Sequence, residues 1–340
     1  MKKVVTIGEI LLRLSPQNKR LLNQAETLEI SFGGAEANVA ASLANFKIPS
    51  AFVSVIPNNP LGDMAIKHLQ KYGVDTTYVK KKNGRMGVYY LDKGIGLRPY
   101  KVIYDRKNSA MSQVDYRDFD FDKIYQDVAW LHISGITPAL SKATLQLTKV
   151  AIAEAKKRNI KISFDINYRS VLWDKATAYQ CLASLMFDVD VFIGGYEDVK
   201  NLLLASYQED TAQLDKVKQM SNEARYQLFF QHYAIKYMAT TMRESFSASD
   251  NGWQAFLYDG KKYYYSKKYQ IRIYDRIGGG DSFASGLIYG LLTNSDNHYI
   301  INFATGASAL KHAICGDTNI VSVDEVNKLI GGKEFGCLER

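Results

Sequence analysis

The sequence predicts an α/β protein of three layers, α/β/α, with a mainly parallel central sheet and a small antiparallel sheet projecting as a lid. Two patterns carry this. Strand-length apolar runs alternate with helical periodicity over most of the chain, the arrangement that covers a parallel sheet with helices on both faces. That rhythm breaks twice: residues 11 to 32 are extended and mixed, and residues 86 to 106 read as a hairpin, with Gly87-Val-Tyr-Tyr-Leu and Tyr100-Lys-Val-Ile-Tyr-Asp-Arg flanking Asp92-Lys-Gly-Ile-Gly.

In chain order, the first strand is Val4 to Ile7, and a helix of small residues spans Ala35 to Asn45. The strand Ala51 to Ile56 and the helix Gly62 to Tyr72 follow. Beyond the hairpin, strands at Trp130 to Ser134, Ile160 to Asp165 and Val189 to Ile193 alternate with helices at Ser141 to Arg158 and Lys175 to Met186. Tyr207 to Arg225 is polar and helix-compatible, Tyr237 to Thr241 and Gln254 to Tyr258 read as strands, and helices at 281 to 292 and 299 to 313 close the pattern. The implied division is a core domain of residues 1–10, 33–85 and 107–330, a lid of 11–32 and 86–106, and a tail of 331–340. An apolar lid face needs cover, so a homodimer or higher homo-oligomer joined through the lid is expected.

At 340 residues the chain is long enough to bury a full core. It has no apolar run of about 18 residues, and its N-terminus passes from charge straight into a strand with no signal-peptide pattern. A cytoplasmic protein with no membrane association is expected. Cys181, Cys315 and Cys337 are few, separated and odd in number, which fits a reducing compartment. The five histidines show no metal-ligand spacing. The net charge of +8 suits anionic ligands, but apart from Lys80-Lys81-Lys82 and Lys261-Lys262 the basic residues are dispersed. Nucleic acid would need a concentrated basic stripe, so small anionic molecules are the expected partners.

The chemistry concentrates in Asp275-Arg-Ile-Gly-Gly-Gly-Asp281-Ser-Phe, where three glycines and a carboxylate open an apolar helix. Gly278, Gly279 and Gly280 leave backbone N–H groups unshielded at the positive end of that helix, where a phosphoryl group can sit. Asp281, at or near the N-cap, is placed to take a proton from a hydroxyl attacking that group. Taken alone, the same residues also fit an N-cap after a tight turn. They match neither a Walker A loop, which ends in G-K-[ST], nor a dinucleotide G-x-G-x-x-G. Further polar residues follow the strands: Asp165, Asn167 and Arg169 after one, and Gly194, Gly195, Glu197 and Asp198 after the next. In parallel sheets these are the ligand-binding ends.

A second motif, Phe32-Gly33-Gly34-Ala35-Glu36-Ala37-Asn38-Val39-Ala40, sets two glycines before a small-residue helix. Together, about 240 residues apart, the two motifs resemble the paired signatures of the PfkB, or ribokinase-like, family of sugar kinases. The likeness runs from Lys3 to about Asp317 and is greatest to the 2-keto-3-deoxygluconate kinases of that family, through Tyr104-Asp-Arg106-Lys-Asn-Ser-Ala, His132-Ile-Ser-Gly-Ile-Thr-Pro-Ala-Leu-Ser and Asp165-Ile-Asn167-Tyr-Arg169-Ser-Val-Leu-Trp173.

The resemblance implies a ribokinase-like fold and transfer of the ATP γ-phosphoryl group to the 6-hydroxyl of a keto-deoxy sugar acid. Asp281 would be the general base and Gly278 to Gly280 the anion hole. Gly33, Gly34, Asn38, Tyr89, Tyr104, Arg106, Asn167 and Arg169 would bind the sugar, with Arg106 and Arg169 on its carboxylate. Asp198, Glu197 and Asp275 would lie near Mg²⁺ and the phosphates, and Asp275 would help a monovalent-cation loop as in several relatives. Three positions depart from the family pattern. Gly195 stands where an Asn is usual, Thr240 to Gly252 lacks a glycine-bearing nucleotide loop, and Arg276 replaces a small hydroxyl residue. Two other readings stay open: a kinase for fructose or 2-keto-3-deoxygalactonate, and a sugar-acid or nucleotide sensor on the same fold without turnover.

Overall fold

A computed structural model describes residues 3–293 and 295–332. Its strands, in chain order, are β1 (Lys3–Ile7), β2 (Leu11–Pro16), β3 (Leu28–Gly33), β4 (Ser50–Pro57), β5 (Val79–Lys82), β6 (Val88–Asp92), β7 (Lys101–Asp105), β8 (Val128–Ser134), β9 (Lys161–Asp165), β10 (Val191–Ile193), β11 (Tyr237–Ser245), β12 (Asp250–Tyr258), β13 (Tyr263–Tyr265) and β14 (Tyr269–Arg272). The central sheet runs β13-β12-β11-β10-β9-β8-β1-β4-β5, with β14 also on β12. From β5 to β11 every pairing is parallel, and β12, β13 and β14 add an antiparallel margin.

The parallel strands were legible because helices bury both their faces. β4 is buried at all eight positions, so it reads as a continuous run rather than an alternation. One layer packs Leu147, Leu182 and Leu202 under Ile133, Phe164 and Phe192. The other packs Phe283, Leu287 and Ile301 against Val4, Trp130 and Val191. Helix starts follow local chemistry: Ser141 Oγ accepts the Thr144 N–H at 3.1 Å, and Asp174 Oδ1 the Thr177 N–H at 2.9 Å, caps that each stabilise by about 1 kcal/mol.

The small sheet has the order β3-β2-β6-β7. The β2–β3 and β6–β7 pairs are antiparallel, but β2 and β6 pair in parallel. This is the small antiparallel sheet the sequence implied, built of two antiparallel hairpins whose first strands, β2 and β6, lie side by side in parallel.

Other elements differ from expectation for identifiable reasons. The strand expected at Tyr237 to Thr241 continues to Ser245, and its partner begins at Asp250. Pairs such as Arg243 with Trp253 and Met242 with Gln254 carry no period-two signal. The lysine run at 80–82, given no element from the sequence, is part of β5 at the sheet edge, where Lys81 and Lys82 pair with Asp63 and Asp118. A helix at Val323–Ile330, capped by Ser322 and Glu325, was not anticipated. Cys181 and Cys315 are free, while Cys337 and residues 333–340 of the expected tail lie outside the described residues.

Candidate active site

A cleft of about 920 Å³ opens where the parallel strands end and the small sheet overhangs them. The glycine turn enters it from one side. Gly278 caps the helix Gly279–Leu292 with φ 81°, and a Cβ there would sit 1.9 Å from the Asp317 carbonyl oxygen. Only glycine meets both demands. A Cβ on Gly279 would strike the His312 ring at 2.5 Å, whereas Gly280 faces open space.

Asp281 is the third residue of this helix rather than its cap. Its Oδ2 accepts the Asn38 side-chain N–H at 2.6 Å. Burial pushes its carboxyl up to about 7, with the Asp317 and Glu36 carboxyls adding to the shift and Asn38 opposing it. Asp165, at the end of β9, is also pushed to about 7, by burial and by the charges of Asp281 and Asp198, with Arg169 opposing. Two carboxyls poised near neutrality in one cleft mark a site for proton transfer.

The small sheet contributes Tyr89, Tyr104 and Arg106. The Tyr89 hydroxyl donates to Asp317 Oδ2. Arg106 donates from Nε to Glu9 Oε2 at 2.8 Å and again from a terminal nitrogen. The Tyr104 ring lies 6.1 Å from Tyr89 and 5.5 Å under the Arg106 guanidinium, and its hydroxyl makes no hydrogen bond among the described residues. Gly33 and Gly34 are close-approach points: a Cβ would meet Asp317 Oδ2 at 1.8 Å and the Glu9 carbonyl oxygen at 2.1 Å, respectively.

Residues 1–228 match the pfkB family of carbohydrate kinases. The chain belongs to that family. The crystal structure of 2-dehydro-3-deoxygluconokinase from Thermotoga maritima is 40% identical with a TM-score of 0.88, covering 98% of this chain and 100% of that one. A PfkB family carbohydrate kinase from Listeria grayi is 35% identical at a TM-score of 0.90, over 97% and 100%. The 2-dehydro-3-deoxygalactonokinase of Haloferax volcanii is 28% identical over 98% of each chain. The fold is the ribokinase-like one its motifs implied, and the protein is a carbohydrate kinase.

In this kinase, Asn167 takes φ 38° and donates its N–H to Asp165 Oδ1 at 3.1 Å. That turn sets Arg169 on the rim, exposed, where it donates a 3.4 Å hydrogen bond to the Tyr168 carbonyl oxygen. Asp198 accepts the Gly195 N–H at 2.7 Å and the Tyr179 hydroxyl, while Glu197 is exposed at the cleft edge. The cleft thus gathers Asp281, Gly278, Gly279, Gly280, Gly34, Asn38, Tyr89, Tyr104, Arg106, Asn167, Arg169, Asp198 and Glu197. Gly33 and Asp275 lie behind it, and Asp275 is wholly buried.

Four arginines and acids with site contacts were given no role from the sequence, although Arg276 stood out as a departure from the family pattern and Glu36 lies in the second glycine motif. Arg243 and Arg276 line the kinase's cleft beside Thr240 and Thr241. Arg243 donates to Asn251 Oδ1 at 2.6 Å and Arg276 to the Ala248 carbonyl oxygen at 3.1 Å, and neither has a carboxylate partner among the described residues. Buried Glu36 accepts from Ser134 Oγ at 2.7 Å and Thr137 Oγ1 at 2.8 Å, and burial raises its carboxyl. Arg13, 1% exposed, stands among leucines in β2. That last placement was a readable signal, since a charge in an apolar strand needs a buried partner.

Proposed function

We propose that the kinase transfers the γ-phosphoryl group of ATP to the 6-hydroxyl of 2-keto-3-deoxygluconate, giving 2-keto-3-deoxy-6-phosphogluconate and ADP. The observation that carries this is Asp281, poised near 7 in the first turn of a helix whose glycine N-terminus opens into the cleft. Asp281 removes the hydroxyl proton as the oxygen bonds to the γ-phosphorus, and the bond to the β-phosphate bridging oxygen breaks with its electron pair leaving on ADP. The N–H groups at Gly278 to Gly280 and the helix dipole offset charge on the transferring oxygens.

Arg169, with no carboxylate partner among the described residues and an exposed place on the rim, holds the sugar carboxylate. Arg106 keeps three of its five N–H donors after serving Glu9, and Tyr104 offers a free hydroxyl beside it. Tyr89 and Asn38, which donate to Asp317 and Asp281, shape the pocket through those acids. Arg243 and Arg276, without acid partners, receive the nucleotide phosphates.

Among the described residues no three side chains form a metal cage. Mg²⁺ needs none, being held by phosphate and water oxygens with one or two carboxylates, and Asp198 and Glu197 fit that demand. When bound, it neutralises charge on the nucleotide phosphates.

The 28% identity to a 2-dehydro-3-deoxygalactonokinase supports the galacto epimer as a second substrate. A sensor without turnover accounts poorly for an intact Asp281 and its glycine turn. Ile30 and Ile103 of the small sheet are exposed, at 56% and 42%, which supports pairing of two lids in a homodimer, testable by sedimentation. Phosphorus NMR of the product tests the transfer itself: a phosphomonoester coupled to the C6 protons is expected, and a phosphate on another carbon overturns the assignment.

A further inference from the structure

The monovalent cation expected beside Asp275 meets a site already furnished with positive charge. Asp275 is fully buried. Its Oδ2 accepts from an Arg13 terminal nitrogen at 2.6 Å and from the Gly316 N–H at 3.1 Å, and its Oδ1 accepts the Ile277 N–H at 3.2 Å. The other terminal nitrogen of Arg13 donates to Asp317 Oδ1 at 2.5 Å. Lys93 Nζ lies 3.9 Å from Asp275. Buried Lys311, whose Nζ donates to the Ile314 carbonyl oxygen at 3.2 Å, lies within electrostatic reach of both acids. Burial lowers the pKa of the Lys311 ammonium, so the charge facing the two carboxylates comes from Arg13 and Lys93, and a soluble ion there would add charge the site does not need.

We infer that Arg13 is a tethered cation, filling from the chain itself the place of a bound monovalent ion. Its guanidinium spans the two acids as a fork, which a single point charge cannot do. Those acids hold the glycine turn: Asp275 fixes the Ile277 N–H, and the Asp317 carbonyl oxygen lies where a Gly278 side chain would be. Arg13 belongs to β2, and Tyr89 and Lys93 also come from the small sheet and its loop. The lid and the phosphoryl-binding turn are thus joined through one buried ion cluster. Arg13 is a positioning residue for transfer, an inference that rests on reading the turn as the anion hole.

The test compares potassium with tetramethylammonium at equal ionic strength, following both turnover and melting temperature. Wild-type turnover should agree within about twofold in the two salts, with no potassium-specific rise in melting temperature. Activation of the wild type by potassium of about tenfold or more overturns the inference. In Arg13→Ala, kcat should fall by about 100-fold with KM for the sugar little changed, and guanidinium or potassium should restore part of it. Arg13→Lys should lose less than Arg13→Ala. A folded Arg13→Ala protein with normal kcat, or one that no cation rescues, also overturns it. If Arg13→Ala does not fold, the wild type and Arg13→Lys decide: turnover independent of potassium in both supports the tethered cation. Melting needs no sugar, so a wrong substrate assignment leaves this readout intact.

Discussion

Asn38 donates a 2.6 Å hydrogen bond to Oδ2 of Asp281 across 243 residues of chain. It joins the helices that open from the two glycine motifs, which also touch where Ser42 Oγ meets Ser285 Oγ at 2.6 Å. The bond favours the ionised carboxylate, so it opposes the burial that pushes Asp281 up to about 7.

That balance sets the pH dependence of turnover. A base must be ionised, so kcat should fall as pH drops through about 7. Asn38→Ala removes the opposing donor and should move the acid limb to higher pH, which a kcat–pH profile will reveal. An unmoved limb would show that another group controls it.

Asp281→Asn should lower kcat by at least about 100-fold while leaving sugar and nucleotide binding nearly intact. Rapid-quench turnover with calorimetric binding on one preparation checks this. Near-normal turnover removes Asp281 as the base.

The same substitution should stabilise the fold at alkaline pH. The folded-state value of Asp281 is raised from 3.8 to about 7, so the folded state holds its proton more tightly than the unfolded chain. The stability this gives is complete below about pH 4 and is lost as pH rises through about 7. Asp281→Asn should therefore raise the melting temperature relative to wild type more at pH 8 than at pH 5, measured by calorimetry.

Arg169→Ala should reduce kcat/KM for the keto-deoxy acids by roughly tenfold or more and spare neutral sugars. Equal losses on both would count against a carboxylate contact.

Arg243→Ala and Arg276→Ala should each raise KM for ATP by roughly tenfold while barely changing KM for the sugar. A change confined to the sugar would place these arginines on the wrong side of the cleft.

Much of the fold could be read from the chain because burial is heavy along its central parallel strands, complete in β4 and β10, and the helix Ala35–Asn45 matches its expected bounds. Many cleft residues were legible too: Gly34, Asn38 and Gly278 to Asp281 sit in glycine motifs, and Asn167, Arg169 and Asp198 follow strand ends, whereas Arg243 lies inside β11 and was not read. What each side chain is committed to was not. The partners of Arg106 and Tyr89 lie 97 and 228 residues away, and those of Arg13 lie 262 and 304 away. Spacing along the chain carries no trace of such contacts. The outer half of the β11–β12 hairpin, beyond Thr241 and before Gln254, escaped for a local reason, as it alternates no apolar pattern.

The most direct measurement is ADP release from the purified kinase with Mg-ATP, offered 2-keto-3-deoxygluconate, its galacto epimer, gluconate, fructose or no sugar. Turnover confined to the keto-deoxy acids, abolished by Asp281→Asn, is the predicted result. Turnover on fructose equal to that on the acids, or silence on every sugar with binding intact, would contradict the account.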